Sequence, residues 1–478
     1  MERKVAWESY SADQLEELEA LNKRYIDFIS DNKTERRCFA ASVAQAQAAG
    51  YVSLDEAVKE GRSLKPGDKV WAGIHGKTLV LVHVGSASMV EGLNILGAHI
   101  DSPRLDLKQN PLYESDGFAY LDTHYYGGIK HYQWVTLPLA LHGVVAKTDG
   151  TVVDINVGDD SADPVFCVTD LLPHLGNQQM AKKGSEVVEG ESLDILMGNR
   201  PLVVSKEKGE AEDKENTADE TKENAKEKVK AFALQLLQEK YGITEEDFVS
   251  AEIEVVPAGR ARELGFDRSM VLGYGQDDRV CAYTSLEAQL ALRETPKTTA
   301  VTVLVDKEEI GSVGATGMGS LFFENTIAEV LALAGYTGEL PLRRCLAASR
   351  MLSSDVSAAY DPAYASVYET KNSAFAGKGI VFNKYTGARG KSGSNDARAE
   401  YVAYVRRVMD DANVTYQTAE LGKVDAGGGG TIAYIPAKYG MDVIDSGVAV
   451  LSMHAPWEVT SKADIYEAYR AYRAFLEA

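Results

Sequence analysis

Several features that would direct this chain to a membrane or to nucleic acid are missing from its sequence. No apolar run approaches the roughly 18–20 residues that cross a bilayer, and Met1-Glu2-Arg3-Lys4 leads into a polar stretch, so we expect neither a span nor a signal peptide. The four cysteines lack C-x-x-C spacing, which indicates reduced thiols and a cytoplasmic protein. The 50 basic residues against 71 acidic ones give a net charge of −21, which argues against nucleic acid and anionic membranes as partners.

The order of polar and apolar residues predicts an α/β protein with a mostly β insertion. Ser11 to Lys33 keeps one apolar face behind a capping-box pair, Ser11 and Gln14, which predicts an amphipathic helix. Residues 117–157 are short alternating runs separated by glycines, typical of antiparallel sheet. After about residue 260, helix and strand patterns alternate, and the apolar run Ala300–Val305 predicts a strand buried on both faces.

The stretch from Lys206 to Lys230 differs from the rest of the chain. It consists almost wholly of Lys, Glu, Asp, Ala, Asn and Thr and has no aromatic residue. Such a composition cannot bury enough apolar surface to order itself, so we predict a solvated, disordered loop at 206–230.

Histidines and carboxylates follow apolar runs at several places, where strand ends and their loops usually carry functional groups. The segments are Gly97–Arg104 (GAHIDSPR), Gly275–Arg279 (GQDDR), Asp306–Ser312 (DKEEIGS), Ser353–Ser357 (SSDVS) and Leu451–Ala455 (LSMHA). Two histidines and three carboxylates, one of them bridging, could bind two divalent ions. Two such ions and three carboxylates with one hydroxide balance in charge, so this site could be buried.

Two of these segments also contain carboxylates that could orient a metal-binding histidine or transfer a proton. In His99-Ile100-Asp101, a carboxylate two residues after the histidine could orient the imidazole and raise its basicity. The pair Glu308-Glu309 follows a predicted strand, and in a turn one carboxylate could bind a metal while the other carries a proton.

These motifs, in this order and at these separations, resemble the aspartyl aminopeptidase and vacuolar aminopeptidase I family of metallopeptidases. The likeness extends over nearly the whole chain and includes Tyr126-Gly127-Gly128, the stretch 189–201 and Gly430-Thr431-Ile432. The resemblance implies a metal-dependent aminopeptidase that removes one residue at a time from peptides with a free N-terminus. It implies two metal ions per subunit, zinc with cobalt or manganese as substitutes, and five ligands, His99, Asp278, Glu309, Asp355 and His454.

The resemblance also implies a role for each residue of the site. His99, Asp278 and Asp355 would hold one ion, and Asp278 would bridge to the second. Glu308 would be the general base, and Asp101 would support His99. Many family members read Leu-Asp-Asn where this chain reads Asp277-Asp278-Arg279, so Asp277 remains open as the bridging residue.

The fold that the resemblance implies is a metallopeptidase α/β sandwich of the phosphorylase/hydrolase-like kind. Its catalytic domain would comprise 1–103 and 261–478, with a mostly β dimerisation domain inserted at 104–260. Family members assemble as tetrahedral dodecamers, so we expect a homo-oligomer here too.

The substrate preference is the point where this chain departs from the family. Ile155-Asn156-Val157 has no histidine where acid-preferring members have one, which speaks against a preference for Asp or Glu. Lys378, in Gly377-Lys378-Gly379, matches the family's pocket lysine and would bind an acidic side chain. Two other functions stay open: a di-metal carboxypeptidase or deacylase, and a non-catalytic scaffold with a vestigial site.

Overall fold

The computed structural model describes residues 3–203, 227–386 and 388–478. Most of the charged loop predicted at 206–230 lies outside the described residues. From Lys228 the chain is helical, so the prediction of a loop as far as residue 230 is wrong at its end. Within the described residues, no helix combines the length and the apolar character needed to cross a membrane.

The strands are listed here in chain order. They are β1 (Val52–Ser53), β2 (Lys69–Ile74), β3 (Thr78–His83), β4 (Leu93–His99), β5 (Arg104–Ser115), β6 (Phe118–Tyr126), β7 (Leu139–Ala146), β8 (Val152–Val157), β9 (Ile195–Gly198), β10 (Ala251–Pro257), β11 (Arg262–Leu264), β12 (Met270–Gly273), β13 (Thr299–Val305), β14 (Arg350–Ser354), β15 (Ser357–Ala358), β16 (Ile380–Asn383), β17 (Tyr416–Thr418), β18 (Asp442–Gly447), β19 (Ala449–Leu451) and β20 (Glu458–Ser461).

The α-helices alternate with these strands mainly in the first and last parts of the chain. They are α1 (Ala12–Asp31), α2 (Glu35–Ala48), α3 (Leu54–Lys59), α4 (Asn177–Met180), α5 (Lys228–Tyr241), α6 (Gln276–Leu290), α7 (Phe322–Leu333), α8 (Glu339–Ala348), α9 (Ala388–Lys391), α10 (Ala399–Asp411), α11 (Tyr434–Ala437) and α12 (Lys462–Glu477). The capping box predicted for α1 is confirmed, because Ser11 Oγ accepts the Gln14 N–H and Gln14 Oε1 accepts the Ser11 N–H.

The chain divides into two compact units. Unit 1 comprises Met1–Ser102 and Arg260–Ala478, and unit 2 comprises Pro103–Gly259. The sequence placed the ends of the insertion at 104 and 260. Unit 2 is built on a six-stranded sheet in the order β8-β7-β10-β5-β6-β9, with antiparallel pairing throughout the described ladders, together with α5.

Unit 1 contains a nine-stranded mixed sheet in the order β1-β2-β3-β13-β4-β14-β18-β16-β17. Its centre is parallel: β13 and β14 flank β4 and run in the same direction. Every residue of β4 and β13 is buried, as expected for strands with helices on both faces. The prediction of an α/β protein is confirmed, and parallel strands that share a register bring their carboxyl ends to one edge of the sheet.

A second sheet of unit 1 runs in the order β11-β12-β20-β19-β15. Strand β12 leads directly into α6, and β20 pairs with it in antiparallel register, Gly273 opposite Glu458. Helix α6 in turn packs against α12 and β4, and its residues belong to the same apolar cluster as Leu96 and Phe475. The start of α6 is thereby held beside the carboxyl end of β4.

Candidate metal centre

The ends of the three central strands bring together residues that are far apart in the sequence. His99 is the last residue of β4, and the sheet register places it opposite Val305, the last residue of β13. Asp355 follows directly on β14. Glu308 and Glu309 lie in a 3-10 turn that β13 enters through Lys307, which has a left-handed φ of 67°.

Asp101 holds this turn against the end of β4. Its Oδ1 accepts the backbone N–H of Glu308 and its Oδ2 accepts that of Glu309, both at 3.2 Å. Asp101 Oδ1 also lies 3.2 Å from His99 Nδ1, and the Asp101 carbonyl oxygen lies 3.0 Å from the same nitrogen. A left-handed non-glycine residue such as Lys307 costs on the order of 1–3 kcal/mol, and these hydrogen bonds help to hold the strained turn.

Asp277, at the start of α6, lies between the two histidines. Its Oδ1 is 3.2 Å from His99 Nε2, and its Oδ2 is 3.2 Å from His454 Nε2. His454 Nε2 is also 3.7 Å from Glu309 Oε2. His99 and the Asp277 carboxylate are almost fully buried, whereas about a third of the His454 side chain is exposed (36%), so the centre opens on the side of His454.

Asp278 is directed differently from its neighbour, to which it is joined by a cis peptide bond. Its Oδ2 accepts the backbone N–H of His99 at 3.3 Å, and the side chain is wholly buried. The family resemblance implied Asp278 as the bridge between the metals and left Asp277 open. The geometry favours Asp277 instead, because its two oxygens face the two imidazoles.

These side chains form three groups whose donor atoms lie within 4.8 Å of one another, and each group could hold a metal ion. The groups are His99 with Asp278 and Asp355, His99 with Glu308 and Glu309, and Asp277 with Glu309 and His454. Imidazole nitrogens and carboxylate oxygens are ligands that zinc accepts. Glu309 Oε1 is buried without a hydrogen-bond partner among the described residues, as suits an atom directed at a cation.

The electrostatics of the cluster also fit bound cations. Burial raises the pKa of Glu308 to about 7 and holds the pKa values of Asp355 and Glu309 well above their usual range. Burial lowers the pKa of His99, but the Asp101 and Asp277 carboxylates outweigh it and raise that pKa well above its ordinary value. Without cations, buried carboxylates this close together hold their protons because their pKa values are raised. Bound divalent cations would lower those pKa values and allow the carboxylates to ionise.

Lys378, which the sequence assigned to substrate binding, lies in a different setting. Asp464, the third residue of α12, accepts the backbone N–H groups of Gly377 and Gly379 at 2.7 Å each. Burial raises the pKa of Asp464 to about 8, although those N–H donors and the positive charge of Lys378 act to lower it. The positive charge of Lys378 therefore acts on a buried carboxylate of this chain, that of Asp464.

Two residues beside the metal cluster were missed in the sequence. Ser102 Oγ donates a 2.6 Å hydrogen bond to the carbonyl oxygen of Asp277. Glu458 is buried, and its carboxylate accepts backbone N–H groups from both Asp277 and His454. A glutamate four residues after a predicted metal-binding histidine was the one available signal, and spacing alone gave no reason to choose it.

A family model described as aminopeptidase I zinc metalloprotease (M18) matches residues 28–476. The probable M18 family aminopeptidase 1 of Clostridium acetobutylicum is 58% identical over 475 residues, which cover 99% of this chain and 98% of that protein. The protein of the same name from Thermotoga maritima is 45% identical over 478 residues, covering 100% of this chain and 99% of that protein.

Solved structures agree with these matches. The crystal structure of the M18 aminopeptidase of Thermotoga maritima has a TM-score of 0.91 at 45% identity and covers 100% of this chain and 99% of its own. That of aminopeptidase I from Clostridium acetobutylicum has a TM-score of 0.89 at 56% identity, with 100% of both chains covered. The S. cerevisiae mApe1 dodecamer matches at a TM-score of 0.74 and 18% identity, covers 95% of this chain and 96% of its own, and shares the fold.

Proposed function

This chain belongs to the M18 family of aminopeptidase I zinc metalloproteases, and from that premise we propose that Asp277 bridges two zinc ions and Glu308 transfers the proton during hydrolysis. Its identity as a zinc aminopeptidase, a hydrolase of peptide bonds, follows from the family match and the relatives. The observation that supports the residue roles is the position of the Asp277 carboxylate, 3.2 Å from a nitrogen of each histidine.

The ligands divide between two ions according to the elements that carry them. His99 and Asp355, at the ends of β4 and β14, would hold one ion, and Glu309 and His454 the other. Asp277 would contribute one oxygen to each. Asp278 accepts the backbone N–H of His99 and would thereby hold this ligand in position without binding a metal itself.

Zinc in such a site supplies Lewis acidity at the scissile carbonyl and lowers the pKa of a water molecule. Glu308 supplies the proton transfer: its carboxylate takes a proton from the attacking water and returns it to the leaving nitrogen. Glu308 Oε2 lies 4.0 Å from His99 Nε2, and the side chain is mostly buried, so the base lies next to the ligands without needing to be one. The Asp101 hydrogen bonds to the turn fix where this base stands.

A free α-amine on the substrate distinguishes this activity from that of a di-metal carboxypeptidase or deacylase. The described cluster is rich in carboxylates, which suit an ammonium group better than a C-terminal carboxylate. The decisive experiment compares Leu-p-nitroanilide with its N-acetylated form, before and after chelation and zinc return. Cleavage of the free amine alone, abolished by the chelator and restored by zinc, is expected. Cleavage of only the acetylated substrate would refute the proposal, and no cleavage with zinc bound would favour a scaffold.

The side-chain preference we propose is broad or neutral. Asn156 of unit 2 is a neutral residue at the position where acid-preferring family members have a histidine, and the Lys378 charge already acts on the Asp464 carboxylate. An acidic substrate side chain therefore has less cationic attraction than the family's acid-preferring members offer.

The assembly and location follow as proposals from the relatives and from the cysteines. The S. cerevisiae mApe1 protein of the same fold is described as a dodecamer, and we expect this chain to form one as well. Cys38, Cys167, Cys281 and Cys345 are free thiols, as suits the reducing cytoplasm. Light scattering that shows a stable monomer at micromolar concentration would remove the first expectation. Activity that separates from cytoplasmic markers on fractionation would remove the second.

A further inference from the structure

Glu458 joins two of the segments that carry metal-binding residues, although it does not point at the metal cluster. Its Oε2 accepts the backbone N–H of Asp277 at 3.1 Å, and its Oε1 accepts the backbone N–H of His454 at 2.9 Å. The residue is 1% exposed, so water cannot replace either bond. A buried carboxylate satisfied by two backbone donors ties those two backbones together.

The fold explains why this carboxylate can reach both segments. Glu458 is the first residue of β20, and the strand pairing sets it opposite Gly273 at the end of β12, a few residues before Asp277. Gln276 strengthens the same junction, because its Nε2 donates to the carbonyl oxygen of Glu458 at 2.6 Å. The turn between β19 and β20 carries His454, so the start of α6 and this turn meet at Glu458.

The turn that carries His454 has a strained backbone and needs contacts that stabilise it. His454 has a φ of 63° and Ser452 a φ of 58°, both in the left-handed region that residues with a side chain rarely adopt. A strained conformation persists only where surrounding contacts determine it. The bond from the His454 N–H to Glu458 is one such contact, and it acts on the backbone of the ligand itself.

The other half of the centre has a separate support. His99 and Asp355 are placed by β4 and β14 of the nine-stranded sheet, and Asp101 fixes the Glu308–Glu309 turn to the end of β4. Glu458 contacts neither strand end through the hydrogen bonds it makes. Loss of Glu458 should therefore loosen the side of the centre that holds His454 more than the side that holds His99.

We propose that Glu458 is a positioning residue that preassembles Asp277 and His454, and so sets the affinity of the zinc ion that His454 helps to hold. The inference rests on the two-ion centre proposed above. Only a carboxylate offers two acceptor oxygens at the end of this side chain, one for each backbone donor. Glutamine keeps the shape but presents an amide N–H₂ to one of the two backbone donors.

The test is a zinc titration of metal-free protein, in competition with a chromophoric chelator, for wild type and Glu458→Gln. We expect the wild type to bind two ions per chain, and the variant to bind one of them about 10–100-fold more weakly, as is usual when a group behind a ligand is lost. The dissociation constant of the other ion should change by less than about threefold. The weakened ion is the one whose binding His454→Ala also impairs, and saturating zinc should restore most of kcat.

Glu467→Gln is the matched control. Glu467 is an equally buried carboxylate that accepts a backbone N–H, from Thr415, and a hydrogen bond from Arg470, and neither of these partners is a predicted metal ligand. If Glu458→Gln and Glu467→Gln lower the melting temperature alike and neither changes a zinc affinity, Glu458 is merely structural and the inference is wrong. Equal weakening of both ions, or a kcat that saturating zinc cannot restore, would also overturn it.

Two further observations keep the outcomes distinct. A wild type that binds a single ion would refute the two-ion centre rather than the role of Glu458. If Glu458→Gln does not fold, Glu458→Asp replaces it: the shorter carboxylate keeps the charge but cannot span both donors, so the same selective loss of one ion is expected. Native affinity for both ions in Glu458→Asp would then count against the inference.

Discussion

Asp101 Oδ1 lies 3.2 Å from the backbone nitrogen of Glu308, so the end of strand β4 determines where the proposed general base stands. The side chain of Asp101 thus connects a metal-binding histidine to the base through one carboxylate. Asp101→Asn would leave one backbone donor facing an amide N–H₂. We expect kcat to fall by about 10–100-fold with partial loss of zinc, measured by steady-state kinetics and metal analysis. The exposed Asp116→Asn is the control, and unchanged kcat in Asp101→Asn would contradict this coupling.

Glu308→Gln and Glu309→Gln separate the base from the ligand. Glu308→Gln should lower kcat by at least the ~10²–10⁴-fold typical of lost acid–base help while zinc stays bound. Glu309→Gln should instead lose zinc, because an amide oxygen is a weaker donor than a carboxylate. Metal analysis by mass spectrometry beside kcat distinguishes the two. Near-normal kcat in Glu308→Gln, or metal loss in that variant instead, would show that the roles are wrongly assigned.

Asp277→Asn and Asp278→Asn test which aspartate bridges the ions. Asp277 faces both histidines, so its substitution should remove zinc from the whole centre. Asp278 bonds the backbone of His99, so Asp278→Asn should weaken zinc binding less and leave some activity when zinc is added. Zinc content after dialysis measures the difference. The reverse order of loss would restore Asp278 as the bridge.

Lys378→Met tests whether the enzyme has a pocket that binds acidic substrate side chains. Because the Lys378 charge already acts on the buried Asp464 carboxylate, we expect the ratio of kcat/KM for Asp- and Leu-p-nitroanilide to change by less than about threefold. A tenfold fall in the relative rate for Asp would correspond to about 1.4 kcal/mol and would mean that the ammonium contacts the substrate. Lys371→Met, at an exposed position, controls for a general change in charge.

His83 should make stability depend on pH. Burial, with help from the nearby Lys69 charge, lowers the pKa of His83 to about 4. The unfolded chain binds a proton near pH 6.5 but the folded chain does not, so stability present above that pH is lost as the pH falls towards 4, on the order of 2–3 kcal/mol. Between pH 7.5 and 4.5, the melting temperature of His83→Gln should fall less than that of the wild type, with both proteins measured in the presence of a chelator. Exposed His124→Gln should behave as wild type, and equal losses in all three would refute this.

The sequence by itself determined the chemistry of this protein. Apolar runs that end in His99, Asp306–Glu309 and Asp355 predict ligands at strand ends, and the resemblance built on them named the family, the zinc and the activity, which the comparisons confirm. These inferences succeed because a strand and its first loop residues are local in the chain. The parallel register of β4, β13 and β14 then brings these residues together, because it aligns the ends of neighbouring strands.

Only the tertiary structure decided which way each carboxylate points. Asp277 and Asp278 are adjacent, and spacing cannot say which faces the histidines, because that depends on how α6 begins between β12 and the end of β4. The contacts of Glu458 form only because β20 pairs with β12. The turn that carries Lys378 meets Asp464 only because α12 begins beside it. Residue types and their order are local properties, whereas side-chain direction and backbone contacts across the fold are set by packing between distant segments.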